Sequence, residues 1–530
     1  MFLICLFILI STLTLGSLGS PAASSPSQAD GLVDLGYAKH IPTYIDTTAS
    51  GQRVAVYKNI RFAKSPTGNL RFRAPDTQLS RVEDIQDGNL PQSTDCISSA
   101  PAFIPFPGIN GTTWGREDCL FLDVYVPEDV RPEDNVPVLQ NFYGSAYAFG
   151  SKDMFFSPMG LFGLMHEQNK GKFIVVANNY RMGMPGFTFA NNEDLDGNVG
   201  MLDCLAAAEW TSNYIHKFGG DRRRVTAMGQ SAGAGIIYYL TVLDGGKGRH
   251  LPFQQAFISS PDAPQRRNVE GRQRKLFDFV LGAANCTTLA CLRSVPEETM
   301  VRANDLLINQ MLSESGGGTL GPVMGFGPAP DGTRIPDIPS ALLKQGRVHK
   351  SLKRLVIGSM AAEGNGLSSD EGMPGYFPTL VRQLMPTASN ATVQALLDAY
   401  YRPGFAKELA WDWTTDAIFA CNGYNLANAL PDRSMRYIMS TPPAVHGQDL
   451  MYYLYIDQEN TPVSYPDLAV VFKTKLLALV LGDDLEWPEY CKDKHMYNIT
   501  DTFEATTMPP ELRHRCDLIN QFVLDPSNGA

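Results

Sequence analysis

The stretch from Arg224 to Leu243, Arg-Val-Thr-Ala-Met-Gly-Gln-Ser-Ala-Gly-Ala-Gly-Ile-Ile-Tyr-Tyr-Leu-Thr-Val-Leu, is compatible with few folds. A β-branched and apolar run leads into Gly229-Gln230-Ser231-Ala232-Gly233, and small residues then open an apolar segment. This reads as a strand, a very sharp turn and a helix. Glycines flanking a serine in the G-x-S-x-G spacing leave room for a strained turn that lifts the hydroxyl above the sheet edge. Ser231 is therefore the candidate nucleophile. Ala232, Gly233, Ala234 and Gly235 let the helix pack closely on its strand.

No Gly/Ser or Pro tract long enough to separate domains interrupts the 530 residues, and no fixed-period repeat appears, so residues 24–530 read as a single α/β domain with large insertions. With 44% hydrophobic and 19% charged residues the chain can bury a large core. The net charge of -11 argues against a nucleic-acid partner, which demands clustered Lys and Arg. The one dense basic run, Asp221-Arg-Arg-Arg224, reads as a solvated loop ahead of the serine-bearing strand.

Met1 to Leu15 is apolar and is followed by small residues, which reads as a signal peptide over residues 1–23 and implies an extracellular protein. The run is shorter than the roughly 20 residues that a membrane span needs. No later segment reads as membrane-spanning. Cys5 falls in this leader, leaving Cys96, Cys119, Cys204, Cys286, Cys291, Cys421, Cys491 and Cys516, an even set that suits an oxidising compartment. Cys286 and Cys291 lie too far from other Cys or His for a metal site, so a small disulfide loop is expected there. Cys491 and Cys516 are candidates for another bridge, while Cys204 and Cys421 either bond each other or stay as buried thiols. Asn110, Asn285, Asn390 and Asn498 each head an N-glycosylation triplet.

Upstream of the serine, Val54 to Pro75 passes from apolar alternation into a turn-rich segment containing Ser65-Pro-Thr-Gly-Asn-Leu-Arg-Phe72. Glu117-Asp-Cys-Leu-Phe-Leu-Asp-Val-Tyr-Val-Pro127, Asn179-Tyr-Arg-Met-Gly183, Asn198-Val-Gly-Met-Leu-Asp203 and Phe218-Gly-Gly-Asp221 follow in order. This series resembles the type-B carboxylesterase and cholinesterase family, from about Val33 onward, and Tyr143-Gly-x-x-Tyr147-x-x-Gly150-Ser-Lys152 resembles its secreted fungal members. The resemblance implies a Cys96–Cys119 bridge closing a loop rich in Pro, Phe and Gly near the active-site gorge. That loop is short for a lid.

The resemblance also implies where the remaining site residues lie. The family's oxyanion loop, His/Tyr-Gly-Gly-Gly-Phe/Tyr, falls on Tyr143-Gly144-Ser145-Ala146-Tyr147, with two glycines replaced. Acyl transfer needs backbone N–H groups aimed at the developing oxyanion, each worth about 3 kcal/mol of barrier. Those of Ser145, Ala146 and Ala232 are assigned here, and the added Cβ atoms restrict φ and crowd the acyl site. The family's acid position falls on Glu363, after the apolar strand beginning at Lys353, with Asp370 and Glu371 as runner-up carboxylates. The family's A-x-H-G motif falls on Ala444-Val-His446-Gly447, after a Pro-Pro turn. The order Ser231, Glu363, His446 is that of α/β-hydrolases.

The expectation is thus an α/β-hydrolase fold, a mostly parallel central sheet flanked by helices with gorge-forming insertions. It would hydrolyse a small-molecule or lipid ester through an acyl-enzyme, with no metal or organic cofactor. Rival readings are an interfacial lipase, an acyltransferase of the same fold, and a non-catalytic binding ectodomain.

Overall fold

Seven of the β-branched and aromatic runs form the parallel centre of one large sheet. The computed structural model describes residues 31–102, 108–265, 267, 269–311, 326–368, 372–491 and 493–530. The proposed leader at 1–23 with Cys5, and the runner-up carboxylates Asp370 and Glu371, lie outside the described residues.

We label the sheet's strands β1 (Tyr44–Thr47), β2 (Arg53–Arg61), β3 (Phe121–Pro127), β4 (Val136–Phe142), β5 (Ile174–Asn178) and β6 (Gly220–Gln230). The rest are β7 (Gln255–Ser259), β8 (Arg354–Met360), β9 (Ser434–Met439), β10 (His495–Ile499) and β11 (Phe503–Thr507). They lie side by side in the order β11-β10-β9-β8-β7-β6-β4-β5-β3-β2-β1. Strands β5, β4, β6, β7, β8, β9 and β10 run parallel, and the outer pairings are antiparallel. Parallel strands need covered faces on both sides, and the central strands β4, β5, β7 and β8 are accordingly buried along nearly their whole length.

The alternation of a pleated strand divides those runs between two cores. Val138, Val176, Ala227, Ile258 and Ile357 point to one face, where α1 (Val199–Tyr214) and α2 (Ala232–Thr241) cover them. Leu139, Val175, Met228, Phe257 and Val356 point to the other, against Leu468, Phe472 and Leu476 of α5 (Pro466–Leu481). The remaining helices used below are α3 (Cys421–Ala429), α4 (Gln448–Tyr453) and α6 (Pro510–Leu524). Among the described residues no helix is long and apolar enough to cross a membrane.

Two expectations are corrected. The run Asp221–Arg224 is the entry of β6 rather than a loop: the register against β4 shifts between Gly220 and Val225, and that irregularity turns Arg222, Arg223 and Arg224 out to solvent. Cys516 bonds Cys421, not Cys491, so Cys421 is neither paired with Cys204 nor a buried thiol. Helices α3 and α6 lie alongside each other, bringing the two Cα atoms to 5.2 Å, and Tyr424–Asp517 and Asn425–Asn520 hydrogen bonds flank the bridge. Cys491 remains a half-buried thiol donating to Glu489 at 3.3 Å, and Cys204 a buried one. Cys96–Cys119 and Cys286–Cys291 are both formed.

Asn110, Asn285 and Asn390 are exposed, whereas Asn498 sits half-buried in β10, its side-chain oxygen accepting from Ser440 at 2.7 Å.

Candidate active site

Ser231 stands between β6 and α2 with φ 57° and ψ -126°, a conformation that non-glycine residues rarely adopt. The turn holds because its neighbours are small. A Cβ on Gly229 would lie 2.5 Å from the Gly233 carbonyl carbon, and one on Gly233 would collide with the carbonyl oxygen of Phe142. Ser231 N–H donates to Ser259 O at 2.9 Å, and Gly235 N–H donates back to Ser231 O at 2.8 Å. The turn is therefore pinned from β7 and from its own helix.

His446 arrives from the loop after β9 and Glu363 from the loop after β8. Ala362 N–H donates to Ala444 O at 3.0 Å, which fastens the two loops to each other just before the residues they present. His446 Nε2 lies 2.8 Å from Ser231 Oγ, and its Nδ1 lies 2.6 Å from Glu363 Oε2. Glu363 is fully buried, and its other oxygen accepts the N–H of Met360 at 2.7 Å. Phe419 lies over the imidazole with ring centroids 4.5 Å apart. Burial works to lower the pKa of His446, but the charge and hydrogen bond of Glu363 outweigh it, and the net direction is upward. An Nδ1–H donated to Glu363 leaves Nε2 as an acceptor for the Ser231 hydroxyl.

The loop at 144–147 abuts the serine. A Cβ on Gly144 would lie 2.7 Å from Gln230 O and 3.1 Å from Ser231 Cβ, so only glycine fits there. Ser145, Ala146 and Tyr147 follow with φ of 83°, 56° and 59°. The replaced glycines thus keep a left-handed backbone, strained for side chains with a Cβ. Tyr147 anchors the loop by donating its hydroxyl to Asp262 O at 2.6 Å, and its own carbonyl accepts Gly183 N–H at 2.6 Å. Among the described residues the N–H groups of Ser145, Ala146 and Ala232 have no hydrogen-bond partner. Behind the loop is a mainly apolar recess of about 40 Å³ that includes Ser145, Phe155, Phe156, Met228 and Leu450 in its wall.

Two further residues belong to the site without having been singled out in the sequence. Gln230, the variable position of the serine motif, places its Nε2 3.2 Å from His446 Nε2. Asp449, three residues after His446, is fully buried and accepts from Ser259 Oγ at 2.5 Å and Tyr437 OH at 2.6 Å. Burial pushes its carboxyl up to about 6 despite those two donors, with the nearby Glu363 adding to the rise. The only sequence signal for Asp449 was its place in the segment that resembles the family motif.

The fold and sequence can be compared with known proteins. The carboxylesterase patB of Aspergillus clavatus is 31% identical over 498 residues, spanning 84% of this chain and 86% of its own length. A secreted lipase of Arthroderma benhamiae is 29% identical, spanning 82% and 90%. The crystal structure of Aspergillus niger EstA superposes with a TM-score of 0.79 at 19% identity, covering 95% of this chain and 99% of that one. The architecture is that of the α/β-hydrolase fold. The profile of the Carboxylesterase family matches residues 43–476. With the family pattern spanning most of the chain, this protein belongs to the carboxylesterase family and is a carboxylic ester hydrolase.

Proposed function

We propose that the protein is a secreted serine esterase working through an acyl-enzyme, in which Ser231 is the nucleophile, His446 the general base and acid, and Glu363 its orienting carboxylate. The observation that carries this reading is the unbroken chain Ser231 Oγ, His446, Glu363, with contacts of 2.8 and 2.6 Å. Ser231 Oγ attacks the ester carbonyl carbon as its proton passes to His446 Nε2. The carbonyl oxygen takes the negative charge, met by the N–H groups of Ser145, Ala146 and Ala232. The tetrahedral intermediate collapses, and His446 returns the proton to the departing alcohol. Water, deprotonated by His446, then attacks the acyl-Ser231 and releases the acid. Residues 1–23 serve as the signal peptide and 24–530 as one domain, a reading supported by relatives named as secreted lipases.

Hydrolysis of a p-nitrophenyl ester series from acetate to palmitate tests this, alongside Ser231→Ala. Loss of turnover in the variant and labelling of wild type by a serine-directed phosphonate at Ser231 alone are expected. Equal inertness of both proteins, with no labelling, would overturn it in favour of a binding role. The chain-length optimum separates an esterase from an interfacial lipase, and transfer to added alcohols identifies an acyltransferase.

A further inference from the structure

A second cavity of about 550 Å³ opens between Tyr37–His40, the segment 79–94 and the start of β3, and its walls share no residue with Ser231, Glu363 or His446. Its lining is of two kinds. Leu79, Val82, Leu90 and Phe121 give it an apolar side, with Val82 44% and Leu90 43% exposed at its rim. Arg61, Lys64 and Arg116 give it a cationic side.

The cations are not fully compensated. Arg61 forms a bidentate pair with Asp118 at 2.6 and 2.9 Å and stacks over Phe121, and Lys64 pairs with Asp76 at 2.7 Å. Arg116 has no carboxylate of its own among the described residues and shares the field of Asp118. One positive charge is left over. Two donors or acceptors are also unused: among the described residues, Nε of Arg116 and Nε2 of His40 are buried without a hydrogen-bond partner. His40 is only 3% exposed, and burial holds its pKa down at about 4, so its ring is neutral at pH 7.

From these features we propose that the cavity is a binding site for an organic monocarboxylate with an apolar tail. The carboxylate would sit against the guanidinium of Arg116, and the tail would lie along Leu79, Val82 and Leu90. An alcohol would leave the positive charge uncompensated, and a small anion such as acetate would leave the apolar side wet. The acids released by ester hydrolysis are of this chemical class.

Equilibrium dialysis of the whole protein with radiolabelled octanoate tests the proposal, after treatment with a serine-directed phosphonate to occupy the Ser231 site. Wild type and variants receive the same treatment, so the comparison stands whether or not Ser231 reacts. One saturable site is expected, weakened at least tenfold by Arg116→Gln, displaced by decanoate and not by octan-1-ol or acetate. Leu90→Asp, a change on the exposed rim that leaves the core untouched, should weaken it as well and serves if Arg116→Gln fails to fold. Absence of saturable binding, equal affinity in the folded variants, or displacement by octan-1-ol as effective as by decanoate would overturn it and leave the cavity a water-filled cleft.

Discussion

Gln230 Nε2 and His446 Nε2 lie 3.2 Å apart, so the imidazole nitrogen that faces Ser231 also faces a neutral amide. An amide N–H can donate to the neutral ring but repels the imidazolium. Replacing it by a carboxylate would favour the charged ring and raise the pKa of His446 further. In the proposed mechanism the base must be neutral, so kcat/KM falls as pH drops through that pKa, and Gln230→Glu moves the acid limb to higher pH. A charge this close is worth on the order of 1 kcal/mol even in a water-like surround, giving roughly five- to tenfold less activity on that limb. Full pH–rate profiles of both proteins check this; superimposable acid limbs would refute it.

Asp449 carries a pH-dependent cost. Its folded pKa of about 6 lies above the ordinary carboxyl value of 3.8, so the folded state binds the proton more tightly than the unfolded chain. The associated stability is present below pH 4 and is lost as pH rises through about 6. Asp449→Asn removes this dependence while still accepting from Ser259 and Tyr437. Relative to the variant, wild type should lose stability between pH 4 and pH 8 by about 3 kcal/mol, as follows from two pKa units. Urea unfolding at both pH values measures it.

The left-handed backbone at Ser145 and Ala146 predicts that glycine there is stabilising. Each Cβ costs about 1 kcal/mol at such φ values, partly offset by the extra freedom glycine has when unfolded. Ser145→Gly and Ala146→Gly should each raise the melting temperature by up to about one degree while the loop keeps its N–H groups in place. Calorimetry decides this, and a lower melting temperature would show that the side chains pack favourably enough to offset the strain.

The Cys421–Cys516 bridge closes a loop of sequence separation 95. In the chain-entropy description a loop of that size is worth about 4–5 kcal/mol. A Cys421→Ala/Cys516→Ala double variant should lose stability on that order, whereas Cys491→Ala should be near neutral. Mass spectrometry of a non-reduced digest should find the same pair, and native thiol titration should detect Cys491 but not the buried Cys204 until denaturant is added.

Legibility in the sequence followed the range of the interactions. The turn at Ser231 is local chemistry, written in Gly229 and Gly233, and was readable at once. Glu363 and His446 were assigned through the family motifs that fall on them and their order after Ser231, and their side chains do meet, but no sequence feature contains the 2.6 Å between them. The partner of Cys516 was missed because it depends on two helices lying side by side across a separation of 95, while Cys491 was merely nearer along the chain. Gln230 sits at a position any side chain can fill, so its contact with His446 exists only in three dimensions. Asn498 fits the glycosylation pattern, yet it is half-buried, its backbone paired in β10 and its amide oxygen accepting from Ser440, which no triplet records.

The hydrogen bond from Ala362 to Ala444 ties the carrier of the acid to the carrier of the base before either reaches the serine. A shift in sheet twist or a thermal breath then carries Glu363 and His446 as one body, and their mutual spacing is insulated. The gap that such motion can tune is the one between His446 and Ser231. A displacement of the two joined loops against the sheet would therefore alter the 2.8 Å contact of His446 with Ser231 sooner than its 2.6 Å contact with Glu363.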